Sequence, residues 1–167
     1  MNLANKQLEI KFEKAVRLLC EHVPFDPDRK KSILMHALRV GMYLSEHNYS
    51  DEIVVAGLLH DLLEWTGASE DLIRDECGEH VLEIIKANTK NRDIEDVNER
   101  HKDYVNRCSS VGTDALIVKA ADTLDSYHFY TAVNNPDEIE RSKSIAKLII
   151  EHTDNQDPIF KKLNKII

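Results

Sequence analysis

The chain is short of the residues that make turns, cross-links and membrane spans. It has only five Gly and four Pro in 167 residues, too few for an all-β protein, where every strand reversal needs turn chemistry. Its three cysteines, Cys20, Cys77 and Cys108, are odd in number, far apart and without a CxxC pair. They read as reduced thiols of a cytoplasmic protein and argue against a disulfide framework or a cysteine zinc site. No apolar run approaches the ~20 residues of a membrane helix; the apolar stretch over residues 53–59 breaks at His60-Asp61. The polar start, residues 1–12, lacks the apolar core of a signal peptide. Net positive charge is also missing. At −8 the chain repels a phosphate backbone, which argues against nucleic acid as a partner. A small anionic substrate stays open if a metal and local cations reverse the field in one cleft.

What remains is 42% apolar and 31% charged, a globular balance rich in Leu, Ile, Glu, Lys and Ala, which favour helix. The length fits one domain, residues 1–167, with a core of its own. Apolar residues recur at helical spacing over residues 5–22, through Leu8, Phe12, Ala15, Val16 and Leu19, before Pro24 and Pro27. The same reading predicts helices over 29–46, over 51–65 with Ser50 as N-cap and Gly67 as stop, over 70–77 behind Ser69, over 81–90, over 93–108 and over 113–133. Two more begin on Pro136 and Pro158, behind Asn135 and Asp157. No alternating strand pattern competes. The fold class is all-α, a single-domain helical bundle, and the polar segment 91–112 is its expected mobile part.

Three apolar helices carry polar interruptions. His36 sits inside Ile33-Leu34-Met35-His36-Ala37-Leu38, and Asp122 inside Val118-Lys119-Ala120-Ala121-Asp122-Thr123-Leu124. His60-Asp61 follows Ile53, Val54, Val55, Ala56, Leu58 and Leu59. One such residue has a bland account, a satisfied core histidine or an Asp paired with Lys or Arg. A buried charge must be paired, hydrogen-bonded or metal-bound. Together, two imidazoles and two carboxylates in the order His, His-Asp, Asp supply donors for one divalent cation, with positions left for water and substrate.

That order resembles the HD superfamily of metal-dependent phosphohydrolases. It is most similar to the HD hydrolase domain of the RelA/SpoT alarmone enzymes and their small single-domain relatives. The segments that carry the likeness are Arg29-Lys30-Lys31-Ser32, His36-Ala37-Leu38-Arg39-Val40-Gly41, Ala56-Gly57-Leu58-Leu59-His60-Asp61-Leu62-Leu63-Glu64, Asn88-Thr89-Lys90 and Ile117-Val118-Lys119-Ala120-Ala121-Asp122-Thr123-Leu124, spread over residues 29–131. The resemblance implies an HD-type bundle and one divalent ion on His36, His60, Asp61 and Asp122. Manganese is the first choice, with iron, zinc, nickel, cobalt or magnesium as alternatives. It also implies hydrolysis of a phosphate ester in a nucleotide or related small molecule, for instance removal of pyrophosphate from the ribose 3′ position of guanosine tetra- or pentaphosphate. The alternative is a nucleotide-binding regulator with little or no turnover. The chain departs from the family pattern at Trp65, where an acid follows Glu64, at Ser126, where an Asn contacts the sugar, and at Phe129, where a small hydroxyl residue is usual.

Accessory residues carry paired readings. Glu64 follows Asp61 by three and His60 by four, so it either assists proton transfer with Asp61 or pairs with Lys or Arg. Arg39, one turn from His36, holds a substrate phosphate or serves as scaffold. Lys90 and Lys119 reach phosphate or an internal partner. Arg29 and Lys30 open a helix whose dipole disfavours cations, which points them at a nucleotide; otherwise they are a solvated charge run. Ser126 lines the pocket, as does Phe129. Trp65 stacks on a base or plugs the core. Asp125 lies one turn from Asp122, behind the ligands. His128 also lies near the site in sequence, whereas His22, His47, His80, His101 and His152 read as surface or helix-end residues.

Overall fold

The computed structural model describes residues 6–154 and 156–167. The order is α1 (Lys6–His22), α2 (Ile33–Glu46), α3 (Asp51–Leu59), α4 (Leu62–Trp65), α5 (Glu70–Cys77), α6 (Glu79–Asn88), α7 (Val97–Val111), α8 (Thr113–Ala132), α9 (Pro136–Glu151) and α10 (Pro158–Leu163). No strand occurs among the described residues, as expected for an all-α chain. Among the described residues no helix is long and apolar enough to cross a membrane. Asn5, the predicted first helical residue, and residues 1–4 lie outside the described residues.

Local chemistry sets most boundaries. The side chains of Ser32, Ser50, Ser69, Asp96, Asn135 and Asp157 each accept a first-turn N–H, contacts worth about 1 kcal/mol apiece. Ser32 moves the start of α2 from the predicted residue 29 to Ile33. The basic triplet Arg29-Lys30-Lys31 therefore precedes the helix, and the supposed misfit with the helix dipole disappears. The predicted helix 51–65 is two helices that part at His60-Asp61. The second ends at Thr66, whose N–H and hydroxyl both donate to the Leu62 carbonyl, not at Gly67. The predicted start at residue 93 also moves, because Asp96 rather than Asp93 caps α7.

α3 and α8 lie at the centre: every residue of α3 from Ile53 to Leu59 is buried, as are residues 115–121 of α8. α2 meets α3 at unusually short range. A Cβ on Gly41 would fall 2.4 Å from Leu58 Cγ, and one on Gly57 would fall 2.3 Å from Leu44 Cδ1. Only glycine lets the two backbones approach so closely, and that approach places His36 beside His60.

The segment expected to be mobile contains α7, which packs Tyr104, Val105 and Cys108 into the core. Arg107 on this helix donates to the carbonyls of Lys86 and Thr89, both at 2.6 Å, satisfying the free C-terminal end of α6. All three cysteines are unpaired, and burial pushes the thiols of Cys77 and Cys108 up to about 11. They are therefore poor nucleophiles.

Candidate metal centre

His36 comes from the first turn of α2, His60 and Asp61 from the break between α3 and α4, and Asp122 from the middle of α8. His36 Nε2 lies 3.2 Å from His60 Nε2 and 3.0 Å from Asp122 Oδ1. His60 Nε2 is 3.8 Å from the same oxygen. Asp61 joins from the side, with one oxygen 3.9 Å from His36 Nε2 and the other 3.7 Å from His60 Nε2. Both imidazoles are 1% exposed. One donor atom from each of His36, His60 and Asp122 lies within 4.8 Å of the others, a spacing one ion spans with bonds of about 2.0–2.2 Å.

The far side of each ring fixes what the near side offers. His60 Nδ1 lies 2.8 Å from the Gly57 carbonyl and His36 Nδ1 lies 2.5 Å from Asp125 Oδ2. Carbonyls and carboxylates only accept, so both Nδ1 atoms carry hydrogen, and each ring in its neutral form presents the Nε2 lone pair; on His36 a second proton at Nε2 would be held by Asp122 Oδ1, 3.0 Å away. Two lone pairs and two carboxylates thus converge on one buried point. A divalent cation fits this acceptor set; a neutral hydrogen-bond network does not. A proton competes for the same place, differently at the two rings. Burial disfavours charge on His36, but hydrogen bonds to Asp122 and Asp125 outweigh it and push it up. Burial pushes His60 down.

The donors open onto a cleft of about 110 Å³. Arg29, Lys31, Lys90, Lys119 and Arg141 line it, against the carboxylates of Asp61 and Asp122. Lys119 is 3% exposed, bonds Asp122 Oδ2 at 3.0 Å and sits 4.2 Å from the Tyr104 ring centroid. Burial raises the Asp122 carboxyl, yet Lys119 and the imidazoles hold it well below the usual range. Lys31 donates to Ser126 Oγ at 2.8 Å, and burial pushes this ammonium down. On the opposite wall His101 is 5% exposed; burial, with the charges of Arg141 and Lys119, lowers it to about 4.

Of the residues singled out in the sequence, Arg29, Lys90, Lys119 and Ser126 line this cleft. Glu64 does not line it. Its side chain, 2% exposed, accepts from the Lys90 N–H and Nζ and from Arg92. Arg39 grips Asp125 through two bonds of 2.6 and 2.9 Å. Lys30 is exposed and lies with Phe129 in a separate surface pocket, so the expectation that Phe129 lines the metal cleft is corrected: it returns to nearly the same face of α8 as Asp122, but seven residues carry it roughly 10 Å along the axis, past the cleft. Trp65 is not a core plug. It is half-buried at the cleft, with the Arg29 and Arg92 guanidinium carbons 4.0 and 4.6 Å from its ring centroid.

Lys31, Tyr104 and Arg141 complete the cleft and had no assigned role in the sequence reading; His101, read there as a surface or helix-end residue, is corrected, because α7 packs it into the cleft wall. One signal did point to α7: His101, Tyr104, Val105 and Cys108 fall at i, i+3, i+4 and i+7, an inward stripe in an otherwise polar segment. Arg141 carries no such signal, being exposed and paired with Glu138.

The sequence model of the HD domain family matches residues 15–149. Over 120 residues the chain is 28% identical to the guanosine-3′,5′-bis(diphosphate) 3′-pyrophosphohydrolase of Aquifex aeolicus (strain VF5), covering 71% of this chain and 17% of that protein. Over 128 residues it is 30% identical to a probable enzyme of the same name from Mycoplasma pneumoniae, covering 70% and 17%. The chain thus spans about a sixth of the length of these curated relatives. Among solved structures, a metazoan ortholog of SpoT that hydrolyzes ppGpp superposes with a TM-score of 0.75 at 19% identity, covering 99% of this chain and 96% of that one. The protein lmo0812 from Listeria monocytogenes EGD-e superposes at 0.66 and 21% identity, covering 78% and 92%.

Proposed function

Since this chain belongs to the HD domain family, we propose that it is a divalent-metal-dependent phosphohydrolase of a nucleotide, with guanosine tetraphosphate as the leading substrate and removal of its 3′ pyrophosphate as the reaction. The observation that carries the reading is the meeting of two imidazole lone pairs and two carboxylates with a ring of cations in one cleft. In this reading His36, His60, Asp61 and Asp122 hold one ion, manganese first, with iron, zinc, nickel, cobalt and magnesium as alternatives. Such an ion lowers the pKa of water and polarises a phosphoryl oxygen.

The chain's own residues supply the rest. Asp125 fixes the His36 ring and tautomer. Burial opposes the Asp61 charge, but His60 and His36 hold its carboxyl below the usual range, so it serves as an anionic donor rather than as an acid. Lys31, Lys90, Lys119 and Arg141 balance the charge that grows on the phosphate as water splits the ester bond. Glu64, already engaged by Lys90 and Arg92, positions those cations instead of moving a proton. A cleft of about 110 Å³ is smaller than the ~150 Å³ cavity that takes one benzene. It therefore suits the phosphate end of a substrate and leaves the nucleoside at the mouth, beside Trp65 and Arg29. The names of the two curated relatives support this substrate class.

The second reading, nucleotide binding with little turnover, is favoured by Trp65 in place of an acid and by the engaged Glu64 carboxylate. One experiment separates them. Protein purified without chelator is assayed for metal by plasma emission and for pyrophosphate release from guanosine tetraphosphate with manganese. The single tryptophan reports nucleotide binding by its fluorescence. About one metal per chain, a fluorescence change and product release support the hydrolase. Metal and fluorescence change without product support the regulator. No metal and no binding of any nucleotide in a panel would sink both.

A further inference from the structure

Behind the metal centre, on the Nδ1 side of His36, α2, α8 and the chain from α10 onward line a second, open-mouthed cavity of about 540 Å³. That volume lies within the range of small-molecule sites, about 300–1,000 Å³. Val40, Ala121, Leu124 and Ile166 give it an apolar floor, with Tyr43 beside them. Arg39, Lys162 and Lys165 bring cations to its edge. The carboxylate in its lining, Asp125, is already bound by Arg39 and His36. Lys162 has no carboxylate partner among the described residues. Its Nζ donates to His47 Nε2 at 2.7 Å and sits 4.9 Å from the Tyr43 ring centroid. Lys165 likewise forms no ion pair among the described residues. In a chain of net charge −8, a roomy apolar cavity edged by two lysines without a carboxylate partner among the described residues is matched to an anion with a greasy body.

We propose that this cavity binds a small amphipathic organic anion, an acyl or aryl carboxylate or phosphate monoester, and that its occupancy is felt at the metal centre. The route is short. A headgroup at the cavity edge draws the Arg39 guanidinium away from Asp125. The full charge of Asp125 then falls on the His36 Nδ1–H, which makes Nε2 a stronger donor to a cation. The headgroup's own charge acts in the same direction. Anion and metal therefore favour each other, and by linkage each raises the affinity of the other by the same factor. The site is separate from the cleft, so its binding holds whether or not the cleft turns over a nucleotide.

The test is calorimetric titration of octanoate and of octyl phosphate, each below its micelle-forming concentration, into the full chain with and without manganese. One saturable site is expected, with affinity at least ~10-fold weaker in the Lys162→Glu/Lys165→Glu variant. Both lysines are exposed, and this variant should keep the wild-type manganese affinity when no anion is present. At saturating anion, manganese should bind the wild-type chain several-fold more tightly. The tighter of the two probes identifies the headgroup as carboxylate or phosphate. No saturable binding of either probe, or binding unchanged in the double variant, overturns the site. Unchanged manganese affinity at saturation overturns the coupling through Asp125.

Discussion

The donor end of the cleft and its cationic wall are built by different means. At the donor end, apolar helices close on one another and polar side chains interrupt them, each fixed from behind: His60 by the Gly57 carbonyl, His36 by Asp125, Asp122 by Lys119. The opposite wall comes from the polar helix α7, the loop before α2 and the exposed start of α9. Two of its cations are held nearer the surface, Arg29 by the Trp65 ring and the Lys31 carbonyl and Arg141 by Glu138. The contrast assigns tasks. A rigid, buried end suits an ion that tolerates little error in donor placement, whereas a half-exposed wall can adjust to phosphates that arrive and leave.

Removing a donor should have the largest effect. His60→Ala is expected to abolish stoichiometric manganese and lower turnover by orders of magnitude; plasma emission and a pyrophosphate assay check both, and retained metal would break the division between the two ends. Next comes His101, the titrating group buried in the cationic wall. Its pKa falls from 6.5 to about 4 on folding, by burial and then by Arg141 and Lys119. The unfolded chain therefore binds the proton more readily. Stability present above the unfolded pKa should be lost as pH drops from about 6.5 to 4, by up to about 3 kcal/mol. Urea unfolding across that window should show this slope in the wild type, and His101→Leu should flatten it.

Asp125→Asn should cost about 10–100-fold in manganese affinity while leaving the ligand set intact, measured by metal titration. Smallest, and confined to the wall, Arg141→Ala should raise KM for a phosphorylated substrate by roughly 5–10-fold through one charge-assisted contact, with manganese affinity unchanged. A change in metal affinity instead would mean that the two ends are not separable.

The same contrast explains what was legible in the sequence. His36, His60, Asp61 and Asp122 stand out because each interrupts an apolar run, and the fold class follows from helical periodicity over nearly the whole chain. Where helices begin was legible only when the cap was read correctly; Ser32 and Asp96 each displaced a predicted start. The wall was mostly illegible. Lys31 looks like its neighbour Lys30, yet one enters the cleft and the other faces solvent, and a single step along a loop decides between them. Arg141 resembles any charge on a solvated face until α9 is folded onto α8. Arg39 and Glu64 share a turn with metal donors, but spacing alone could not say that Asp125 and Lys90 would claim them.

The missing side chains at Gly41 and Gly57 work as a notch and key. Leu58 seats over the first and Leu44 over the second, so a sliding shift of α2 against α3 by even one residue would drive a branched carbon into backbone. The gap between the two imidazoles is thus gauged by a joint in the aliphatic interior, more than a helical turn from the ring of His36, and an ion arriving there meets a spacing already set.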